Sequence, residues 1–397
     1  MIVEIREVSM ATWRPGDLNV VAKHHPAPTA AGTPFAYGIP DCSESGEFDT
    51  SGCPIRVARV VYRGADFNIY ELALVNGQWE CNNLLVAAGT DSAEGLPAQA
   101  VSDPTAYVGI WNNPGVGAVN YADEFGNIFQ LLLTGLGWSY INITNWFTTP
   151  PATPAAGNVF GYWDFYNDID RLIYRGLHND TQIYEISDQN GNYICSNLST
   201  NDKSEKPAPP AGGNPFGYCY GDVPRVIYRG ADGHVYELHP QPYWKCSDLL
   251  EASGGAPRAA SDPYAYVPDI ARVIYADTDR QIIELSLEGN WKWANLSTND
   301  KTASAPAPAA AGNPFGYQTS DGVLRVIYRG FDGHIYELRS DPSTMHVWKW
   351  ADLSTIDKTA KPAQQAAGDP FGYEIVDNIP RVVYLGTNGH ICELALY

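Results

Sequence analysis

Gly213-Asn-Pro-Phe-Gly-Tyr218, Arg225-Val-Ile-Tyr-Arg-Gly-Ala-Asp-Gly-His-Val-Tyr-Glu-Leu238 and Trp244-Lys-Cys-Ser-Asp-Leu249 together form one unit, and that unit recurs along the chain. Aligned on the tyrosine of Arg-Val-Ile-Tyr, the copies fall at Tyr62, Tyr121, Tyr174, Tyr228, Tyr275, Tyr328 and Tyr384, spaced 59, 53, 54, 47, 53 and 56 residues apart. Each copy holds about four short strand candidates and no helical periodicity, which is the content of one propeller blade. Pro-Phe-Gly-Tyr reads as the inner strand, Arg-Val-Ile-Tyr-Arg as the second, His-Val-Tyr-Glu-Leu as the third and Trp-Lys-Cys-Ser-Asp-Leu as the outer one. Pro/Ala-rich stretches such as 207–213 and 305–312 read as extended spacers between blades.

The last copy stops at Glu393-Leu-Ala-Leu-Tyr397, directly after its third strand, and Trp13-Arg-Pro-Gly-Asp-Leu18 resembles the missing outer strand. Joining the two ends removes the sheet edges that an open array would expose. The expected fold is all-β: a single seven-bladed β-propeller over residues 1–397. Its repeats run at about 26–85, 86–148, 149–203, 204–255, 256–301, 302–358 and 359–397, and residues 1–25 supply the outer strand of the closing blade.

Composition agrees. The 397 residues include 37 glycines and 29 prolines spread along the chain, which favours many short strands joined by turns. Forty-four per cent of residues are apolar, too many for a disordered chain. A formal charge of −20 leaves little basic surface for nucleic acid or anionic lipid, so neither is an expected partner, and no apolar run is long enough to insert into a membrane. The start, Met1-Ile-Val-Glu-Ile-Arg-Glu, lacks a signal-peptide pattern, so the expectation is a cytoplasmic protein or one released by a non-classical route. Of seven cysteines, Cys81, Cys195 and Cys246 share one repeat position and read as buried thiols, and Cys42 and Cys53 flank an acidic insertion and could pair.

Charged residues recur inside the repeat. Placing Tyr228 opposite His234 across the Asp232-Gly233 turn puts Arg225 opposite Glu237 on one face, and Val226, Tyr228, Tyr236 and Leu238 on the other. The same twelve-residue spacing gives Arg59/Glu71, Arg272/Glu284, Arg325/Glu337 and Arg381/Glu393, and Arg171/Glu185 is spaced at fourteen. In the second blade Ala118 and Gln130 stand at these positions, so both charges are lost together. Each pair is followed by an aromatic at the start of an outer strand: Trp79, Tyr193, Trp244, Trp291 and Trp348, with Trp13 for the closing blade. One reading is an ion pair that locks strands together, although burial makes such a pair a weak source of stability. The other is a sugar site, in which charges hydrogen-bond hydroxyls and a ring covers the apolar face of a pyranose. One tryptophan of each Trp-x-Trp pair, Trp291/Trp293 and Trp348/Trp350, is expected only to fill the core.

The Arg, the aromatic-rich strand, the Asp-Gly turn, the Glu about twelve residues on and the later Trp resemble the repeat of the fungal and bacterial fucose-binding propeller lectins of the Aleuria type. That resemblance implies L-fucose bound between adjacent blades by the Arg, Glu and aromatic residues named above, and glycans or glycoproteins as partners. That family is typically six-bladed, whereas seven copies are counted here.

Enzymatic signatures are missing from the sequence. There is no Ser-x-Asp-x-Gly-x-x-Trp box, no Gly-x-Ser-x-Gly elbow and no His-Glu-x-x-His. Each repeated glutamate lies near an arginine, which is expected to hold it ionised and unsuited to donating a proton. No cofactor or metal is called for: His234, His334 and His390 share a turn position and read as surface residues, and Asp277-Thr-Asp279 is too short for a calcium loop. Asn142, Asn179, Asn197 and Asn295 begin Asn-x-Ser/Thr triplets, but Asn197 and Asn295 share a repeat position, so structural reuse accounts for them better than glycosylation. The sequence therefore points to a non-enzymatic lectin. A protein-interaction scaffold with structural Arg/Glu pairs is the alternative, and a glycoside hydrolase is a weaker third.

Overall fold

A computed structural model describes residues 12–22, 27–40, 56–90, 92, 95–109, 116–146, 151–189, 192–200, 207–240, 243–300, 303, 305–341, 347–355, 362–375 and 377–397. Cys42 and Cys53 lie outside these residues. The chain forms seven four-stranded antiparallel sheets, each running from an inner to an outer strand in chain order, with one exception. Blade 4 is typical: Phe216–Tyr220, Val223–Arg229, Val235–Pro240 and Trp244–Asp248. Blades 1, 2, 3, 5 and 6 occupy residues 35–83, 105–142, 155–197, 264–295 and 315–352.

Blade 7 is the exception. Its inner three strands are Phe371–Glu374, Pro380–Leu385 and Ile391–Leu396, and its outer strand is Trp13–Asp17, paired from Trp13 against Leu396 to Asp17 against Cys392. Beyond the ladder, Asn19 Oδ1 accepts from Ile391 N at 2.7 Å and His390 Nδ1 lies 2.8 Å from Asp17 Oδ2. The ends of the chain thus close the ring.

Alternation along each strand sends one face of a blade toward the preceding blade and the other toward the following one. The repeat tyrosines Tyr62, Tyr121, Tyr174, Tyr228, Tyr275, Tyr328 and Tyr384 are all fully buried. Several donate their hydroxyl to a connector carbonyl, as Tyr228 does to Pro209 at 2.9 Å and Tyr275 to Pro257 at 2.7 Å. The Pro/Ala connectors are therefore pinned to the blades they precede. Inner strands carry glycine because blades converge there: a Cβ at Gly217 would lie 2.2 Å from Cε1 of Tyr162 in blade 3, and one at Gly372 would lie 2.3 Å from Tyr317. Around the axis Phe35, Phe160, Phe216, Tyr264, Phe315 and Phe371 form an aromatic collar with centroids 3.9–6.3 Å apart, blade 2 contributing Thr105 at that level.

One register differs from the sequence expectation. Tyr228 pairs with Tyr236 and Ile227 with Glu237, two residues away from a Tyr228–His234 pairing. The connection is a five-residue loop closed by Gly230 N to His234 O at 2.8 Å, not a two-residue Asp-Gly turn. Inside it Asp232 Oδ1 accepts from His234 N and Gly233 takes φ +81°. A shift by two keeps every side chain on its expected face, so Arg225 and Glu237 stand diagonally instead of opposite each other.

The shared histidines also have partners. His234 Nδ1 lies 2.6 Å from Asp248 and His334 Nδ1 lies 2.9 Å from Asp352, each joining the loop to the end of the outer strand. Blades 3 and 5 make the same link with amides, Asn197 to Gln182 and Asn295 to Gln281, which is the structural reuse expected of these asparagines. Of the three repeat cysteines, Cys195 is buried, and Cys81 and Cys246 are half-buried.

Candidate functional site

Each Arg/Glu pair belongs to the second and third strands of one blade, and its side chains project into the gap before the following blade. Arginine Nη1 meets the glutamate at 2.5 Å in Arg59/Glu71, 2.8 Å in Arg171/Glu185, 2.7 Å in Arg225/Glu237, 3.0 Å in Arg272/Glu284 and 2.6 Å in Arg325/Glu337. In Arg381/Glu393 the approach is longer, 3.5 Å from Nε.

The sequence reading missed a third member, the tyrosine of Pro-Phe-Gly-Tyr. Tyr218 pairs with Arg225 in register, and its hydroxyl donates to Glu237 Oε1 at 2.6 Å. Tyr37, Tyr266 and Tyr373 bond Glu71, Glu284 and Glu393 at 2.7, 2.8 and 2.9 Å. The recurrence of a tyrosine at that inner-strand position in every copy, Tyr37, Tyr107, Tyr162, Tyr218, Tyr266, Tyr317 and Tyr373, is the signal that could have revealed it. Burial raises the carboxyls of Glu71, Glu185, Glu284 and Glu393 above the usual glutamate range, although their arginines pull the other way. From sequence the neighbouring arginine is expected to hold each of them ionised; desolvation opposes this and is the larger influence.

The aromatics also need reassignment. Within a blade, Trp244 pairs with Pro240 and shares a face with Leu238, opposite the face of Arg225 and Glu237. It packs instead against Tyr162 and Ile173 of blade 3, in the gap that holds Arg171/Glu185. By the same geometry Trp291 enters the gap of Arg225/Glu237, Trp348 that of Arg272/Glu284, Trp13 that of Arg325/Glu337 and Trp79 that of Arg381/Glu393. Arg59/Glu71 is served by Trp138 of blade 2, which the sequence reading passed over because that blade has no charged pair. Trp13, Trp79, Trp244 and Trp348 are buried, and Trp138 and Trp291 are half-buried. Both members of each Trp-x-Trp pair share a face: Trp293 is exposed beside Trp291, and Trp350 packs in the cluster of Trp348, where its Nε1 donates to Ala305 O at 3.2 Å.

Tyr193 faces the one gap without charges on its leading wall. There Gln130 Nε2 donates to Tyr107 Oη at 3.0 Å and to Asn120 Oδ1 at 3.1 Å. Tyr107 is also hydrogen-bonded to Asp170, a buried residue of blade 3. The gap between blades 2 and 3 is thereby stitched across by protein groups.

The geometry matches a known architecture. In fold the chain is similar to the propellers of the Aleuria-type lectins, and it has seven blades. An arginine-substituted mutant of AofleA from Arthrobotrys oligospora is 12% identical, with a TM-score of 0.51 over 86% of this chain and 90% of that one. A mutant of Aleuria aurantia lectin in complex with Fucalpha1-6GlcNAc is also 12% identical, with a TM-score of 0.50 over 82% and 96% of the two chains. An Aleuria aurantia lectin structure is described as a six-bladed β-propeller, so the present chain has one blade more. A GH93 α-L-arabinofuranosidase of Fusarium graminearum overlaps at 10% identity and a TM-score of 0.45, covering 92% of each chain. No family model and no curated protein matches the chain. Among the described residues no cluster of three or more His, Cys, Asp or Glu is arranged to hold a metal ion, and no helix is long and apolar enough to cross a membrane.

Proposed function

We propose that this protein is a multivalent, non-enzymatic lectin that binds glycans or glycoproteins in its inter-blade gaps, L-fucose or a similar sugar being held by the Arg/Glu pair of one blade and the outer-strand aromatic of the next. One observation carries the reading: six gaps bring together a guanidinium, a carboxylate and an indole from two different blades, and the seventh loses both charges and is bridged by Tyr107 and Asp170. A donor, an acceptor and an apolar plate are what a pyranose with one apolar face requires. Six sites on one rigid chain would give avidity well above single-site affinity, so a monomer could crosslink glycosylated surfaces. The test is a glycan array followed by titration with L-fucose. Binding at several sites per chain supports the reading, and no binding to any glycan sinks it.

A second reading has its own support in the burial of the pairs. Glu71, Glu237 and Glu337 are at most 1% exposed, and the arginine of the same blade satisfies each of them. On that reading the triads lock strands within a blade, and the flat propeller face serves as a protein-binding scaffold. Agglutination without a dimer separates the two: a lectin agglutinates cells and the scaffold does not.

A further inference from the structure

The guanidinium edge that points away from the glutamate is not the same in every gap. In blade 3 Arg171 Nε donates to Asp164 Oδ2 at 3.0 Å, and in blade 7 Arg381 forks onto Asp377 at 2.9 and 2.5 Å. Asp269 stands 3.8 Å from Arg272 and Asp321 stands 3.9 Å from Arg325. Asp164 ends the inner strand of blade 3 and the other three lie in the connection between the inner and second strands, so four arginines already carry a second carboxylate. The corresponding segment of blade 1 lies outside the described residues.

Blade 4 has no such cap. Its inner strand continues to Tyr220, which pairs with Val223 and leaves only Gly221 and Asp222 to turn the chain. Gly221 takes φ +59°, and Asp222 is exposed and makes no ion pair among the described residues. Arg225 lies over the Tyr220 ring, 5.6 Å from its centroid, and its side chain is 13% exposed, close to the 11% of Arg171 and above the 4% of Arg272, Arg325 and Arg381. Arg225 Nε is buried with no hydrogen-bond partner.

Two more basic groups share this wall. His239 lies two residues beyond Glu237 on the same strand face, and its buried Nδ1 also has no partner. Lys245 pairs with His239 in register. Burial lowers the imidazole pKa, with Arg225 and Lys245 adding to the effect, and a neutral imidazole can still present an N–H donor. Glu237 pulls the imidazole the other way, although both of its oxygens already accept hydrogen bonds, from Tyr218 and Arg225. Trp291 and Trp293 of blade 5 form the opposite wall. In a chain of formal charge −20, this gap combines orphaned donors with a missing carboxylate.

We propose that the gap between blades 4 and 5 binds an acidic sugar, whose carboxylate takes the place at Arg225 that Asp164 and Asp377 fill in blades 3 and 7 while its ring lies against Trp291 and Trp293. The inference rests on the lectin reading and adds a ligand class at one gap. Arginine prefers a carboxylate there because the paired, charge-assisted hydrogen bonds are stronger than those to a neutral hydroxyl.

The experiment titrates the full chain with D-glucuronic acid, its methyl ester and L-fucose, and locates each in soaked crystals. Glucuronate should bind at Arg225 and not at the capped Arg171, Arg272, Arg325 and Arg381, and the ester should bind about tenfold more weakly because the charge-assisted bonds are lost. Lys245→Gln and His239→Ala should each weaken glucuronate several-fold while fucose still occupies the other gaps. Arg225→Ala strips Glu237 of its partner and risks unfolding, so these two variants carry the test. Equal affinity for acid and ester, no glucuronate at Arg225, glucuronate at a capped arginine, or full affinity in both variants overturns the proposal. Fucose binding without any preference for the acid at Arg225 overturns this inference alone, whereas no binding of any of the three sugars overturns the lectin reading with it.

Discussion

Replacing Trp13 by alanine tests ring closure and the cross-blade assignment together. Trp13 is 3% exposed despite its place near one end of the sequence, and it packs with Phe315, Tyr317 and Ile327 of blade 6 and Val382 and Leu394 of blade 7. Its counterpart in blade 6, Trp348, is 2% exposed and sits in mid-chain. Truncating a buried tryptophan to alanine costs about 3–5 kcal/mol. If the termini close the seventh blade, Trp13→Ala and Trp348→Ala should fall in that same range, read as shifts in the urea midpoint at unchanged slope. An ordinary substitution in a loose terminal segment changes stability by less than about 0.5 kcal/mol. A Trp13→Ala protein that unfolds like wild type, next to a strongly weakened Trp348→Ala, refutes closure as described. The same variant has a ligand readout: sugar soaked into crystals should leave the Arg325/Glu337 gap and stay at Arg381/Glu393. Loss at Arg381/Glu393 instead would overturn the assignment of each aromatic to the preceding blade's pair.

Soaked fucose should appear in the six Arg/Glu gaps and not between blades 2 and 3, and density around Gln130 and Tyr193 would count against the proposed role of the charges. Glu237→Ala should lower the titrated stoichiometry by one site at unchanged affinity elsewhere. If it unfolds the protein and the folded fraction keeps full stoichiometry, the pair is a lock. Gly217→Ala should cost about 1–3 kcal/mol by overpacking, since its Cβ would press on the Tyr162 ring, and a melting curve matching wild type would contradict that contact. Burial tends to raise the Asp232 carboxyl, but hydrogen bonds from Tyr236 and His234 outweigh it and leave its pKa lowered. A lowered folded pKa stabilises above the unfolded value and is lost as pH falls through the folded one, so the stability gap between wild type and Asp232→Asn should close below about pH 4. A gap that widens on acidification would reverse the assigned direction.

The repeat, the number of blades, the closure by Trp13–Leu18 and the division of each strand into two faces all follow from the order of residues. The reason is physical: period-two alternation and recurring turns are local, and a copy that ends one strand short leaves a specific segment to complete it. The two-residue register error did no harm to the face assignment for the same reason. Alternation cannot say which neighbour a face meets. Only the packed ring shows that Trp244 serves Arg171 and not Arg225, that Trp138 belongs to a charged gap although its own blade carries no charges, and that Tyr218 holds Glu237 from the strand beyond. The aspartates beside Arg171 and Arg381, and the bare edge of Arg225, depend on which residue the end of each inner strand and its connection place beside the arginine. Those connections differ in length and sequence from blade to blade, so the repeat pattern does not reach them, and the contacts are fixed only when strands distant in sequence lie side by side.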